Sequence, residues 1–270
     1  MKRFESFVLN RAALRDELNA FRLLLTPEDK ELSEQKDILP FFKSNRNLAS
    51  LIGFAKSHLS TPDVIKSEFP FVGDHACDLA IGERREGAGQ FCFIEFEDGR
   101  EASIFRHTVK GTPDWAPRLE HGFSQIVDWF HVLADQSQTP LFREFFGTGL
   151  ADYCGLLVIG RDRFLSDAER SRLRWRSQNM LVSGKPVSII TFDQLFQDLA
   201  GRVDYCAPEP VSAPFTRSHR SRAGQKSKRE QVRNVSQFRY STRGPHDFSG
   251  LRVSSRASVR RHRQNQARRD

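Results

Sequence analysis

The chain has 270 residues, with 42 Lys or Arg against 34 Asp or Glu and a formal charge of +8, which is long enough for a substantial core. The basic excess does not belong to the whole chain: from Phe215 to Asp270 there are 16 Lys or Arg and three acids, which leaves the remainder at −5. No run approaches the ~20 apolar residues of a membrane-spanning helix, which argues against a membrane protein.

Cys77, Cys92, Cys154 and Cys206 are widely spaced, with no C-x-x-C pair. They are expected to be free thiols in a reducing compartment, not a disulfide framework or a zinc site. Met1 to Leu9 is charged and lacks the apolar segment of a signal peptide, so a cytoplasmic location is expected.

Apolar residues at Leu14, Leu18, Phe21 and Leu25 repeat at helical spacing and predict a helix over 12–25, stopped by Pro27. Ser33 can cap a second helix from Glu34 to Phe42, with Pro40 disturbing its last turn, and Leu48 to Phe54 suggests a third. Strand patterns follow at Val64 to Val72, Ala76 to Ile81 and Phe91 to Glu97. The connections at Gly73-Asp74 and Glu83 to Gly89 are short, as in an antiparallel meander. A long helix is predicted over 118–134 from Leu119, Phe123, Ile126, Phe130 and Leu133, followed by a strand at Gly155 to Ile159. A helix at Ser166 to Met180, a strand at Pro186 to Phe192 and a helix at Asp193 to Ala200 complete the pattern. Residues 1–60 therefore read as a helical lead and 61–207 as an α/β domain. Residues 208–270 form an Arg/Ser-rich tail that cannot bury enough apolar surface to offset its chain entropy and is expected to be disordered.

Three acids lie inside these apolar runs: Asp78, Glu95 and Glu97. Alternation puts Glu95 and Glu97 on one strand face with Ile94 and Phe96 on the other. A carboxylate in such a place costs several kcal/mol unless it is paired, hydrogen-bonded or bound to a metal. Acids converging from neighbouring strands suit magnesium, which favours a few carboxylates, water and phosphate oxygens. The competing reading has Glu97 and Asp98 opening a solvated turn, with Glu95 salt-bridged. On the long helix, Gln125 and Trp129 share a face beside His121, where an amide can orient a water or a phosphate and Trp129 can anchor the helix. Packing in the core for Trp129, with Gln125 and His121 at the surface, is the plainer alternative.

A lead helix, three strands carrying Asp and Glu-x-Glu, a Gln-bearing helix and a further strand resemble the PD-(D/E)XK nuclease core. More closely, Phe93-Ile94-Glu95-Phe96-Glu97-Asp98 followed by Arg118 to Phe130 looks like the Shedu immune nuclease family of bacterial anti-phage defence proteins. Leu156 to Arg161, Thr191 to Leu195 and Glu34 in Leu32-Ser33-Glu34 fit the same C-terminal domain. The resemblance implies an α/β fold of αβββαβ order and a Mg2+- or Mn2+-dependent DNA endonuclease working as a homo-oligomer, with no other cofactor. Asp78 and Glu95 would hold the metal, Gln125 would serve catalysis, and Glu34, Arg118 and His121 would be accessory. Glu97 stands where the superfamily usually has lysine. The positive charge would then come from the metal, Arg118 or Lys110, while Glu97 acts as a base or a further ligand. A catalytically silent module that binds nucleic acid or a protein is the alternative. In the tail, Arg217, Arg220, Arg222, Lys226, Lys228 and Arg229 are candidates for phosphate contact, and Phe238, Tyr240 and Phe248 for base stacking.

Overall fold

The computed structural model describes residues 4–26, 31–54, 59–71, 75–109, 111–147 and 149–207. Pro27, Gly73-Asp74, Lys110 and the basic tail lie outside them.

The chain opens with a two-residue strand, β1 (Glu5–Ser6), and α1 (Leu14–Leu25), preceded by a 3-10 turn whose Asn10 side chain accepts a hydrogen bond from Ala12 N–H. Ser33 caps the next helical segment as expected, accepting from Lys36 N–H. This segment begins as a π turn over Glu34–Ile38, and α2 (Leu39–Ser44) continues it. Pro40 lacks an N–H and sits at the junction of the two. α3 (Arg46–Ser50) and a 3-10 turn at Ile52–Phe54 take the place of the third predicted helix.

Strands β2 (Val64–Pro70), β3 (Ala76–Arg85) and β4 (Ala88–Phe96) form the expected antiparallel meander. A minor ribbon of β5 (Phe105–Arg106) and β6 (Asp114–Trp115) precedes α4 (Pro117–Gln136). α5 (Pro140–Phe146) follows, capped by Thr139 and ended by Gly147 at φ +70°. Then come β7 (Ala151–Val158), α6 (Asp167–Asn179), β8 (Leu181–Val182), β9 (Lys185–Ile190) and α7 (Phe192–Cys206).

The main sheet runs β1-β2-β3-β4-β7-β9-β8, with β4 parallel to β7 and β7 parallel to β9. Central parallel strands must be covered on both sides, and their sequences are accordingly continuous apolar runs. Two cores result, one on each face. On one, α1, α2, α3 and α7 bury Phe21, Phe42, Leu48 and Leu199 against Cys92, Ile94, Phe96 and Leu156. On the other, α4, α5 and α6 bury Ile126, Trp129, Phe146 and Leu173 against Phe91, Phe93, Leu157 and Val187. The protein is thus a mixed α/β sandwich with seven α-helices and a seven-stranded sheet among the described residues. All four cysteines are free thiols. Among the described residues no helix is long and apolar enough to cross a membrane.

Close approach of α4 to the sheet depends on two glycines. A Cβ on Gly155 would stand 2.6 Å from Ile126 Cγ2, and one on Gly122 would stand 2.8 Å from Leu157 Cδ1 and 3.0 Å from Glu97 Cγ. Gly122→Ala is therefore expected to lift α4 or push Glu97 aside, costing about 1–3 kcal/mol of stability by overpacking, to be measured by chemical denaturation.

Candidate functional site

The two cores fix where the acids point. Residues Ile94 and Phe96 enter the core beneath α1 and α7, so Glu95 and Glu97 face α4, as alternation requires. Glu95 is 7% exposed, Glu97 2% and Asp98 4%. These are burials at which a lone charge is not tolerated.

Asp78 lies on β3 beside this end of β4, and its Oδ2 accepts a hydrogen bond from Phe96 N–H at 2.8 Å. Backbone geometry changes nearby. Glu68, on the paired strand β2, has φ +52°, between the pairs Ser67↔Leu79 and Phe69↔Cys77. Glu97 N–H continues the parallel ladder past β4 by bonding Val158 O at 2.9 Å, and Asp98 O accepts from Gly160 N–H at 3.1 Å.

The helical lead closes the site from the other side. Leu32 pairs with Gly99, and Glu34 N–H donates to Asp98 Oδ1 at 2.9 Å, so the π turn is pinned to the end of β4. Arg118, in the first turn of α4, reaches across this junction. Its Nη1 lies 2.6 Å from Glu97 Oε2 and 3.6 Å from Glu34 Oε2, and its Nη2 lies 3.5 Å from Asp98 Oδ2. His121 acts electrostatically on both Glu34 and Glu97. One turn further along α4, Gln125 Nε2 lies 3.1 Å from His121 Nε2.

All seven candidates of the folded part, Glu34, Asp78, Glu95, Glu97, Arg118, His121 and Gln125, thus belong to one neighbourhood. Trp129 takes the plainer of its two readings, 1% exposed and stacked on Phe71 at 5.4 Å. The tail residues Arg217, Arg220, Arg222, Lys226, Lys228 and Arg229, and Lys110, lie outside the described residues. Asp98 is the residue that sequence reasoning misjudged. Followed by glycine, it reads as a solvated turn, yet it is buried and ties the lead, β4, Arg100 and Arg118 together.

Burial dominates the electrostatics. It raises Asp78 to about 7, where the Phe96 N–H opposes it and the charges of Glu34 and Glu97 add to it. Burial also raises Glu95 to about 10, reinforced by Asp78, Glu97 and Glu34. Glu34 and Glu97 are raised by burial as well, with the hydrogen bond from Arg118 lowering Glu97. Folding therefore concentrates four acids where they resist being charged together.

Among the described residues no group of three or more His, Cys, Asp or Glu stands ready to hold a metal ion. The chemistry of the donors nevertheless fits a hard cation. Glu95 Oε2 is buried with no hydrogen-bond partner, and every nearby acid offers carboxylate oxygen.

The upward shifts set a pH dependence. In the unfolded chain Asp78 and Glu95 ionise in the usual carboxylate range, while in the folded chain they keep their protons to higher pH. The folded state thus binds more protons, and stability falls as pH rises through that window. Metal-free protein is expected to lose on the order of 2–4 kcal/mol between pH 5.5 and pH 8, measured by urea denaturation in a chelator.

Fold and site together define an α/β sandwich with an acid cluster and one bridging arginine at the ends of β3 and β4. The family model described as Shedu protein SduA, C-terminal, matches residues 31–196, a span that includes every candidate from Glu34 to Gln125. The chain belongs to the Shedu family, as the resemblance of its central motifs implied, and a defence-related role goes with that membership. No curated protein matches the chain at a significant level.

Proposed function

We propose that the protein is a metal-dependent DNA endonuclease of the Shedu type, acting against bacteriophage. The observation that carries this reading is Glu95, a buried carboxylate with an unpartnered oxygen close to the charges of Asp78 and Glu97. Asp78 and Glu95 would hold magnesium or manganese. When bound, the ion supplies neutralising charge at a scissile phosphate and lowers the pKa of a water.

The remaining roles belong to the chain's own side chains. Arg118 is 43% exposed at its side chain while anchored to Glu97 and Asp98, so one edge of its guanidinium can meet a phosphate oxygen where the superfamily uses lysine. Glu97 keeps Arg118 in place and, with its proton affinity raised by burial, can accept a proton from a water. Gln125, which lies 3.1 Å from His121, would orient that water or a phosphate oxygen.

Plasmid nicking by full-length protein, with and without magnesium, tests the reading. Wild type is expected to nick only with the metal, and Asp78→Ala and Glu95→Ala are expected not to nick. Metal-independent cutting, or cutting retained in Glu95→Ala, would refute it.

A further inference from the structure

α6 is the most basic helix of the described body. Ser166 forms a capping box with Glu169, and the helix then carries Arg170, Arg172, Arg174 and Arg176. Three of these are engaged. Arg170 pairs with Asp167, Arg172 donates to Pro113 O and lies over Phe105 and Trp115, and Arg176 holds Glu120 by two bonds of 2.6 and 2.9 Å. Arg174 has no ion-pair partner among the described residues. Beside it Trp175 is 68% exposed, and its ring stacks on no aromatic ring or cation among the described residues. An indole left in water beside an unpaired guanidinium forfeits apolar burial, and folding alone gives no reason for the pair.

The surroundings narrow what can cover this face. Its outward face begins with the exposed Asp167, which Arg170 neutralises at 3.1 Å, and continues through Ser171, Arg174, Trp175 and Gln178, which offer a stacking ring, a cation with no ion-pair partner among the described residues and two neutral hydrogen-bonding groups. The Arg176–Glu120 clasp ties α6 to the first turns of α4, which also carry Arg118 and His121. Both helices cover the sheet face toward which Glu95 and Glu97 point.

We propose that the outer face of α6 binds single-stranded nucleic acid, with Trp175 stacking on an unpaired base and Arg174 contacting a backbone phosphate. The inference rests on the nucleic-acid reading above and adds where the strand is gripped. Charge complementarity selects the occupant. The part of the chain outside the tail is net acidic, so a phosphate chain is drawn to the places where basic side chains exceed acids, as on α6 with four arginines against Asp167 and Glu169, and a single strand leaves base faces free for the ring.

The test uses full-length protein in EDTA, titrated with a thymidine oligonucleotide and with a blunt duplex. Of the three tryptophans, Trp129 is buried and Trp115 lies under Arg172 and Arg176, so quenching on oligonucleotide binding is expected to come from Trp175. Trp175→Ala should lower oligonucleotide affinity about tenfold and abolish the quench, while Trp175→Phe should restore most of the affinity. Arg174→Ala should weaken binding and reduce the logarithmic salt slope by about 0.7. Wild-type affinity in both alanine variants, or an equal loss toward the blunt duplex, overturns the proposal. So does self-association that depends on Trp175, because a second copy would then be the occupant. Because binding is read without metal, its loss in Trp175→Ala alongside absent nicking in wild type counts against the acid cluster alone. Unchanged binding with intact nicking counts against the α6 surface alone.

Discussion

Glu95→Gln is expected to make the metal-free protein more stable at pH 8 and to eliminate the magnesium-dependent nicking proposed for it. The wild-type side chain is buried beside Asp78 and Glu97, and burial together with their charges drives its proton affinity up. Glutamine has nearly the same shape and carries no charge at any pH, so it keeps the packing and removes the cost of taking up a proton on folding, which the wild-type side chain, ionised in the unfolded chain at pH 8, has to meet. The gain is expected to be about 1–2 kcal/mol at pH 8 and to shrink toward pH 5.5, which lies nearer the usual carboxylate range in which the unfolded side chain takes up its proton. Magnesium should raise the melting temperature of wild type and not of Glu95→Gln. A variant less stable than wild type at pH 8 would mean that Glu95 serves as a structural hydrogen-bond acceptor.

Arg118→Met should destabilise the fold by about 2–3 kcal/mol, a large effect for one partly exposed side chain. The cost lies on the acids left behind. Glu97 and Asp98 have side chains only 3% and 6% exposed, and without Arg118 the pinning of Glu34 to the end of β4 loses its countercharge. Solvent screening of the half-exposed guanidinium keeps the cost below that of a fully buried pair. Arg118→Lys should recover part of the stability, because an ammonium can neutralise Glu97 but cannot span Glu97 and Asp98 as the planar guanidinium does. Denaturation curves of the three proteins measure this, and equal stability of Arg118→Met and wild type would exclude the bridge as an energetic element.

Much of this arrangement was legible from local pattern. Alternation placed Glu95 and Glu97 correctly because β4 is buried on both faces and its side-chain period is two. The i, i+4 spacing put His121 and Gln125 together on α4. The burial of Asp98 was not legible because it is produced by partners far away in sequence: Gly160 beyond β7, Glu34 in the π turn and Arg118 on α4. α5 was missed because seven residues give no sustained period, although Thr139-Pro140 is a recognisable helix start. The two-residue strands β1 and β8 exist only through pairing with β2 and β9, and nothing within them distinguishes strand from loop. Insertion of β7 beside β4 is likewise a property of topology, invisible to any window of sequence.

That insertion has a consequence for the order of synthesis. By the time the first 136 residues have been made, the chain already contains Glu34, Asp78, Glu95, Glu97, Arg118 and Gln125. It still lacks the strand that holds Glu97 N–H and Asp98 O in place, because Val158 and Gly160 come later. A growing or prematurely ended polypeptide of this length therefore carries these side chains without the β7 partner that sets the backbone register at Glu97 and Asp98. Closure of the parallel ladder is a late requirement of the acid cluster, met only by a chain translated through Gly160.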